Sequence, residues 1–412
     1  MPELITNRGF TECRVCASDE LESVLNLGQQ PLPAEYGNSP DEVMDAYPLH
    51  LRVCSECGLG QLGEYVLPER IFHETYPYLS SASETWLAHG RQYAEHMCQA
   101  LNLGPDTLVL ELASNDGYLL KEFKNLDVPV LGVEPAKNVA QIAQGLGVPT
   151  INDFFGEKLA NHILVEHGYP ALIIANNVFA HIPDMHDFTK GMSVLADDRT
   201  IITIENPSFL LLLKNNLFDT IYHEHYSYLT AHSVSKVAQF HSLNLVRVDS
   251  LKTHGGSNRY WLSRRGDVDD SVAFMLNLEQ NEGLFDPVLR LDFARRASDA
   301  IAGLREWLSE KEANGDVVVG YGAAHKGNTF LNAVGEKSRV LKYVVDASYE
   351  KQGKYLPGSR IPVLKPEKLN TDNPTDVLIL PWNIAEELTD QVQKLAPSAR
   401  VWIAQPQMKQ LA

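Results

Sequence analysis

Asp106-Thr107-Leu108-Val109-Leu110-Glu111-Leu112-Ala113-Ser114-Asn115-Asp116-Gly117 runs apolar to its middle and then turns polar, ending on a glycine, and the helical stretch YLLKEFKN (118–125) follows at once. An apolar strand feeding a tight turn and then a helix is how a β-α-β unit starts. The pattern repeats outward. VPVLGVEPA (128–136), VPTIN (148–152), ALIIANNV (171–178) and TIITIENP (200–207) are four further strand candidates, with helical stretches between most of them. Such alternation predicts a parallel sheet with helices on both faces. The next two strand candidates, LNLVRVDSL (243–251) and GSNRYWLSRR (256–265), are joined only by KTHG and read as an antiparallel hairpin added to that sheet. Past a long helical pattern over 270–313, closed by Asn314-Gly315 as a C-cap, a second alternation follows in 316–335, LKYVVDAS (341–348), TDVLILPWN (375–383) and RVWIAQP (400–406).

The chain ahead of this region is organised by cysteine. Four of the five cysteines form two C-x-x-C knuckles, Cys13 with Cys16 and Cys54 with Cys57. Four thiolates in one short segment suit structural zinc, and a closed four-thiolate shell leaves no open position for catalysis. Neither pair opens a thioredoxin-like unit, and a cytoplasmic chain disfavours stable disulfides. Cys98, in the helical stretch 83–101, reads as a small buried hydrophobe.

Composition narrows the function. With 412 residues, 44% of them hydrophobic, the chain is globular and long enough for two or three domains. A net charge of −18, from 35 basic and 53 acidic side chains, opposes nucleic-acid binding. The N-terminal MPELITNRGF carries no signal-peptide pattern, and no apolar run is long enough to span a bilayer. A cytoplasmic protein with no membrane partner is expected, as a monomer or weak homo-oligomer. The expected division is a zinc-binding module over 1–70, the first α/β domain over 71–268, a helical connector over 269–315 and a second α/β domain over 316–412.

A Rossmann-like sheet ending in an antiparallel hairpin resembles the class I methyltransferases. The turn after the first strand lacks the G-x-G-x-x-G of dinucleotide enzymes and is nearer the E-x-G-x-x-x-G loop that cradles S-adenosylmethionine, with Ala113 in place of the first glycine. Glu111, Ala113, Asn115 and Gly117 then line the cofactor. Glu134, ending the second strand, is suited to the ribose hydroxyls. Asp153 and Phe154, after the third, suit the adenine, and Asn177 follows the fourth. NAD is the alternative cofactor.

Tyr222-His223-Glu224-His225-Tyr226 is dense in acid–base groups. Alternate histidines could share a metal only on an extended backbone, and a helical zinc site would space them at i and i+4. His181, in AHIPD, and Tyr76 and Tyr78, in HETYPYLSS, lie near strand ends or the domain junction. Together with the zinc knuckles, the SNDG loop, YHEHYSYLT, HGGSNRY, VGYGAAHKG and PWN, these blocks cover nearly the whole chain. In that order they resemble the nucleotide-sugar C-methyltransferases of branched deoxysugar and antibiotic biosynthesis. The resemblance implies a nucleotide diphosphate 4-keto-deoxysugar as substrate, deprotonated at C3 and methylated on the resulting enolate. By the same resemblance His225 is the base, Glu224 orients it or binds a hydroxyl, Tyr222 stabilises the 4-oxyanion, and His181 and Tyr76 position the sugar. Tyr78, His254, Arg259, Tyr321, Lys326, Asp346, Lys351, Trp382 and Asn383 are the expected substrate contacts. The glycine-rich turn ending in Lys326 is suited to phosphate. The alternatives are an NAD-dependent nucleotide-sugar oxidoreductase and a non-catalytic zinc-containing binding module.

Overall fold

The structure is a computed structural model that describes residues 11–63, 66–72, 76 and 78–412. His73, Glu74, Thr75 and Pro77 of the HETYPYLSS block, the N-terminal MPELITNRGF and the side chain of His254 lie outside the described residues. Packing divides the chain into two units that interleave along the sequence. One comprises the chain up to Leu21, Val53–Phe209 and Tyr226–Phe285; the other comprises Glu22–Arg52, Leu210–His225 and Asp286–Ala412.

In the first unit the apolar runs become a seven-stranded sheet. From edge to edge its strands are Asn244–Leu251, Ser257–Ser263, Ile201–Pro207, Leu172–Asn176, Val109–Leu112, Val130–Val133 and Thr150–Ile151. Five of these strands are parallel. Ser257–Ser263 runs antiparallel between Ile201–Pro207 and Asn244–Leu251, so the expected hairpin is present and its second strand is the inner one. The chain enters mid-sheet at Val109–Leu112, steps outward twice, then crosses back to Leu172–Asn176. That reversal is the switch point at which open α/β sheets leave a crevice outside their strand ends. Helix Glu84–Leu101 starts on a Ser83 cap and ends at left-handed Asn102. It lays Tyr93, Ala94 and Met97 on the sheet face carrying Val109, Leu172 and Ile174. On the opposite face Leu110, Leu112, Ile173 and Ala175 join the core formed by the other helices.

The second unit holds a six-stranded sheet in the order Val363–Leu364, Val344–Val345, Val318–Tyr321, Asp376–Ile379, Arg400–Ile403, Lys409–Gln410. All neighbours pair in parallel except the last. The helical pattern over 270–313 is two helices, Asp270–Asn281 and Pro287–Asn314, because Gly283 takes a φ of +84° and Pro287 sits in the first turn of the next helix. The longer helix ends as expected, with Gly315 left-handed at φ +72°. Buried Lys311 anchors that helix to the sheet, its Nζ 3.0 Å from Asp376 Oδ1. No helix among the described residues is long and apolar enough to cross a membrane.

Candidate active site and zinc centre

The two knuckles converge within the first unit. The four Sγ atoms of Cys13, Cys16, Cys54 and Cys57 lie within 4.8 Å of one another. Zn–S bonds of about 2.3 Å in a tetrahedron set sulfurs roughly 3.8 Å apart, and the Cys13–Cys57 and Cys16–Cys54 pairs stand at 3.5 Å. Hydrogen bonds from Cys13 and Cys57 hold the Cys54 thiol far down, while the same contacts push Cys13 and Cys57 up. The donor set fits structural zinc.

At the switch point of the first unit, the turn after Val109–Leu112 folds back on itself through left-handed residues. Ala113 has φ +55°, Asn115 +51° and Gly117 +77°. Ala113 therefore adopts the conformation a glycine would, at a cost of about 1–2 kcal/mol. A Cβ on Gly117 would stand 3.1 Å from Ala143 Cβ and 3.2 Å from Val148 Cγ2, so this position needs glycine on both counts. Glu134 braces the turn, its Oε2 accepting from Asn115 N at 2.9 Å and its Oε1 from Ala136 N at 2.8 Å. Burial nevertheless pushes its carboxyl up to about 7. Glu111 is 2% exposed, and burial, then the Asp116 and Glu134 charges, hold it well above the usual carboxylate range. Glu111 Oε2, Asp116 Oδ1 and Asn177 Nδ2 are buried here with no hydrogen-bond partner among the described residues. Unmet carboxylate oxygens beside a left-handed turn suit a ligand bearing an ammonium group and hydroxyls. Asp153 and Phe154 are exposed beyond the third strand, and Asp153 Oδ1 accepts from Phe154 N at 2.8 Å.

Tyr78 lies beside this turn, and Tyr76 and His181 are linked to one another through Phe72. The Tyr76 carbonyl accepts from Asn138, and the Tyr78 carbonyl from Asn115. Phe72 packs its ring 5.3 Å from Tyr76 and 5.7 Å from His181. Arg259 is found elsewhere in the same unit. It sits over the Tyr93 ring and donates to Glu205 Oε2 at 2.9 Å, while His89 Nε2 stands 2.9 Å from Glu205 Oε1. Burial pushes Glu205 up, but His89 and Arg259 outweigh it and hold the carboxyl below its ordinary range. Nothing local in the sequence joins these three residues.

The second unit carries the histidine and tyrosine cluster. Residues 222–225 form a turn closed by His225 N donating to the Tyr222 carbonyl at 2.9 Å, and the two histidines meet different carbonyls. His223 Nε2 meets the Tyr47 carbonyl at 3.2 Å, and burial pulls the ring down to about 4. His225 Nδ1 lies 2.9 Å from the Thr220 carbonyl. A carbonyl only accepts, so in this hydrogen bond Nδ1 is the donor. The Tyr222 ring packs against His225 at 4.0 Å between centroids. Glu224 is buried with His325 Nδ1 3.4 Å from its Oε1.

The strand-end turns of the same unit hold the remaining expected residues. Asp346 Oδ2 accepts from Ala323 N at 2.7 Å, and Lys351 Nζ donates to the Ala323 carbonyl at 3.0 Å. Tyr321 Oη donates to Gln391 Oε1 at 2.7 Å. Lys326 Nζ donates to Asn383 Oδ1 at 3.0 Å and lies 4.9 Å from the centroid of the Trp382 ring. Two partners in this cluster were not singled out from sequence, His325 and Asp219. Asp219 was readable only as an acidic residue inside the apolar run Leu217-Phe218-Asp219-Thr220-Ile221.

Comparison with known proteins matches three stretches of the chain to described domains. Residues 13–72 match a zinc binding domain, 87–248 a methyltransferase domain and 252–405 a C-methyltransferase C-terminal domain. The chain is 34% identical to C-methyltransferase NovU of Streptomyces niveus over 93% of its own length and 92% of that protein. Among solved structures, a methyltransferase from Anabaena variabilis matches at 14% identity and a TM-score of 0.38, over 48% of this chain and 92% of that one. A methyltransferase from Clostridium acetobutylicum matches at 13% identity and 0.36, over 45% and 94%.

Proposed function

The chain belongs to the S-adenosylmethionine-dependent C-methyltransferase family, and on that premise we propose that it methylates C3 of a nucleotide-linked 4-keto-deoxysugar. The observation that carries this reading is the hydrogen bond that His225 Nδ1 donates to the Thr220 carbonyl. C3 becomes acidic beside the 4-keto group, and a base must take its proton. With Nδ1–H committed to the Thr220 carbonyl, Nε2 takes that proton. The electrons of the C3–H bond move onto the C4 oxygen, where the Tyr222 hydroxyl donates to the enolate. S-adenosylmethionine, held by the turn over 111–117 and Glu134, would supply an electrophilic methyl group to C3, leaving S-adenosylhomocysteine and the re-formed ketone. His225 then releases its proton to solvent. Glu224 orients the base or binds a sugar hydroxyl; His181 and Tyr76 position the sugar.

Glu111, Ala113, Asn115, Gly117, Glu134, Asp153, Phe154 and Asn177 hold the cofactor in this proposal. The nucleotide diphosphate is held by Tyr321, Lys326, Asp346, Lys351, Trp382 and Asn383, with Tyr78, His254 and Arg259 as further contacts. By function the proposed division is a zinc module over 1–70, a cofactor domain over 71–268, a connector over 269–315 and a nucleotide-sugar domain over 316–412, with Glu22–Arg52 and Leu210–His225 packing in the second unit.

His225→Asn removes the base while leaving the cofactor turn untouched. S-adenosylhomocysteine should bind it as it binds the wild type, and methyl transfer to a thymidine diphosphate 4-keto-6-deoxyhexose should fall by about 100-fold or more. Full turnover by this variant removes His225 from the base role.

A further inference from the structure

Asp219 is the most completely buried carboxylate of the histidine and tyrosine cluster, at 1% exposure in the short turn Phe218–Thr220. Its Oδ2 accepts the indole Nε1–H of Trp382 at 2.7 Å. Its Oδ1 is buried and has no hydrogen-bond partner among the described residues. The turn is held in place by Phe218, whose ring meets Phe330 edge-on at 4.9 Å. Phe330 lies on helix His325–Val334, which also carries Lys326.

These contacts form a chain of constraint. The Lys326 ammonium is attracted to the face of Trp382 and donates to Asn383, the next residue. A cation over a ring has a defined place only when the ring plane is defined, and here the plane is set by the indole hydrogen bond to Asp219. We propose that Asp219 is a positioning residue for the phosphate-bearing end of the substrate, acting through Trp382 on the ammonium of Lys326. The proposal rests on the reading above that this unit holds a nucleotide diphosphate. It adds a residue that touches no substrate atom itself.

Charge supports the same role. Burial pulls the Lys326 ammonium down and the Asp219 charge holds it up. Burial in turn pushes Asp219 up to about 6, against the pull of Lys326. Each ion thus favours the charged form of the other. Tyr222, His223, Glu224, His225 and His325 are further titratable groups of the cluster and stay unchanged in the variants below.

The test is calorimetric titration of the full-length chain with thymidine diphosphate, with S-adenosylhomocysteine as the control ligand. Asp219→Ala should weaken thymidine diphosphate by at least about tenfold and leave S-adenosylhomocysteine unchanged. In Asp219→Asn the amide oxygen still accepts the indole N–H, so binding near pH 7 should be closer to wild type. Without the carboxylate Lys326 loses its proton more easily, so anion affinity should fade at a lower pH than in the wild type. A misfolded site would not shift a pH profile in that way. In a Trp382→Phe background, adding Asp219→Ala should cost less than it does in the wild type, because the link through the indole is already cut and only the charge effect on Lys326 remains. Wild-type affinity in Asp219→Ala, or a wild-type pH profile in Asp219→Asn, overturns the positioning role alone. A wild-type chain that binds S-adenosylhomocysteine but not thymidine diphosphate overturns the nucleotide reading and this proposal with it.

Discussion

Glu134 shows how one side chain joins folding to cofactor binding. Its two oxygens each accept one backbone N–H, which leaves a second lone pair on each for a hydroxyl donor. Burial holds the carboxyl up at about 7, so near neutrality the ligand-free protein keeps a proton that the unfolded chain would release. The sign follows from that. The ionised form is stabilised less by folding as pH rises from the ordinary carboxylate range through 7, so Glu134 then contributes progressively less stability. Ribose hydroxyls donate better to a carboxylate than to a carboxylic acid, so ligand binding pulls the pKa back down. S-adenosylhomocysteine should therefore bind more tightly as pH rises through about 7, then level off, with proton release seen by calorimetry in buffers of different ionisation enthalpy. Glu134→Gln should flatten that dependence, and an unchanged slope in the variant would assign it to another group.

Strand-to-helix turns place most of the candidate residues, and their geometry is strict. Gly322 follows strand Val318–Tyr321 with φ +86°, and a Cβ there would lie 2.5 Å from Pro381 Cδ, a ring atom that cannot rotate away. Gly322→Ala should destabilise the second unit by about 2–4 kcal/mol, from left-handed strain and overpacking together. Urea unfolding would measure it, and a shift below about 1 kcal/mol would mean that the turn relaxes without cost. Turns of this kind were legible from sequence because glycine and polar residues punctuate long apolar runs. The five strands from Val109–Leu112 to Ile201–Pro207, the hairpin and the Gly315 cap follow from periodicity and caps. Two-residue strands such as Val363–Leu364 and Lys409–Gln410 carry no periodic signal. The different partners of His223 and His225 depend on a turn and on the Tyr47 and Thr220 carbonyls, which no local pattern encodes. Asp219, Glu205 and His89 escaped notice for a related reason. Each matters through a partner more than a hundred residues away.

Across the whole molecule, the interleaving of the two units assigns the zinc centre its role. Cys16 and Cys54 are separated by 38 positions, and most of the intervening chain, Glu22–Arg52, packs with the other unit. Linear boundaries could not reveal that, because a segment between two knuckles reads as a loop of the zinc module. The acidic balance of −18 hides local order in the same way, since the cations Lys326 and Lys351 are each held by a specific partner. A metal joining Cys13 and Cys16 to Cys54 and Cys57 closes that long excursion, and closure removes conformations from the unfolded chain. The site should therefore govern stability rather than chemistry, its four-thiolate shell being closed to substrate. Cys54→Ser should lose the bound zinc measured by elemental analysis and lower the unfolding midpoint by roughly 5–10 °C, given about 2–4 °C per kcal/mol in a unit of this size. The fraction that remains folded at low temperature should keep the wild-type turnover number for methyl transfer. A variant that keeps its midpoint while losing zinc would show that the knuckles do not staple the chain. One that keeps its midpoint while turnover falls would give the metal a part in the reaction that a saturated thiolate shell does not predict.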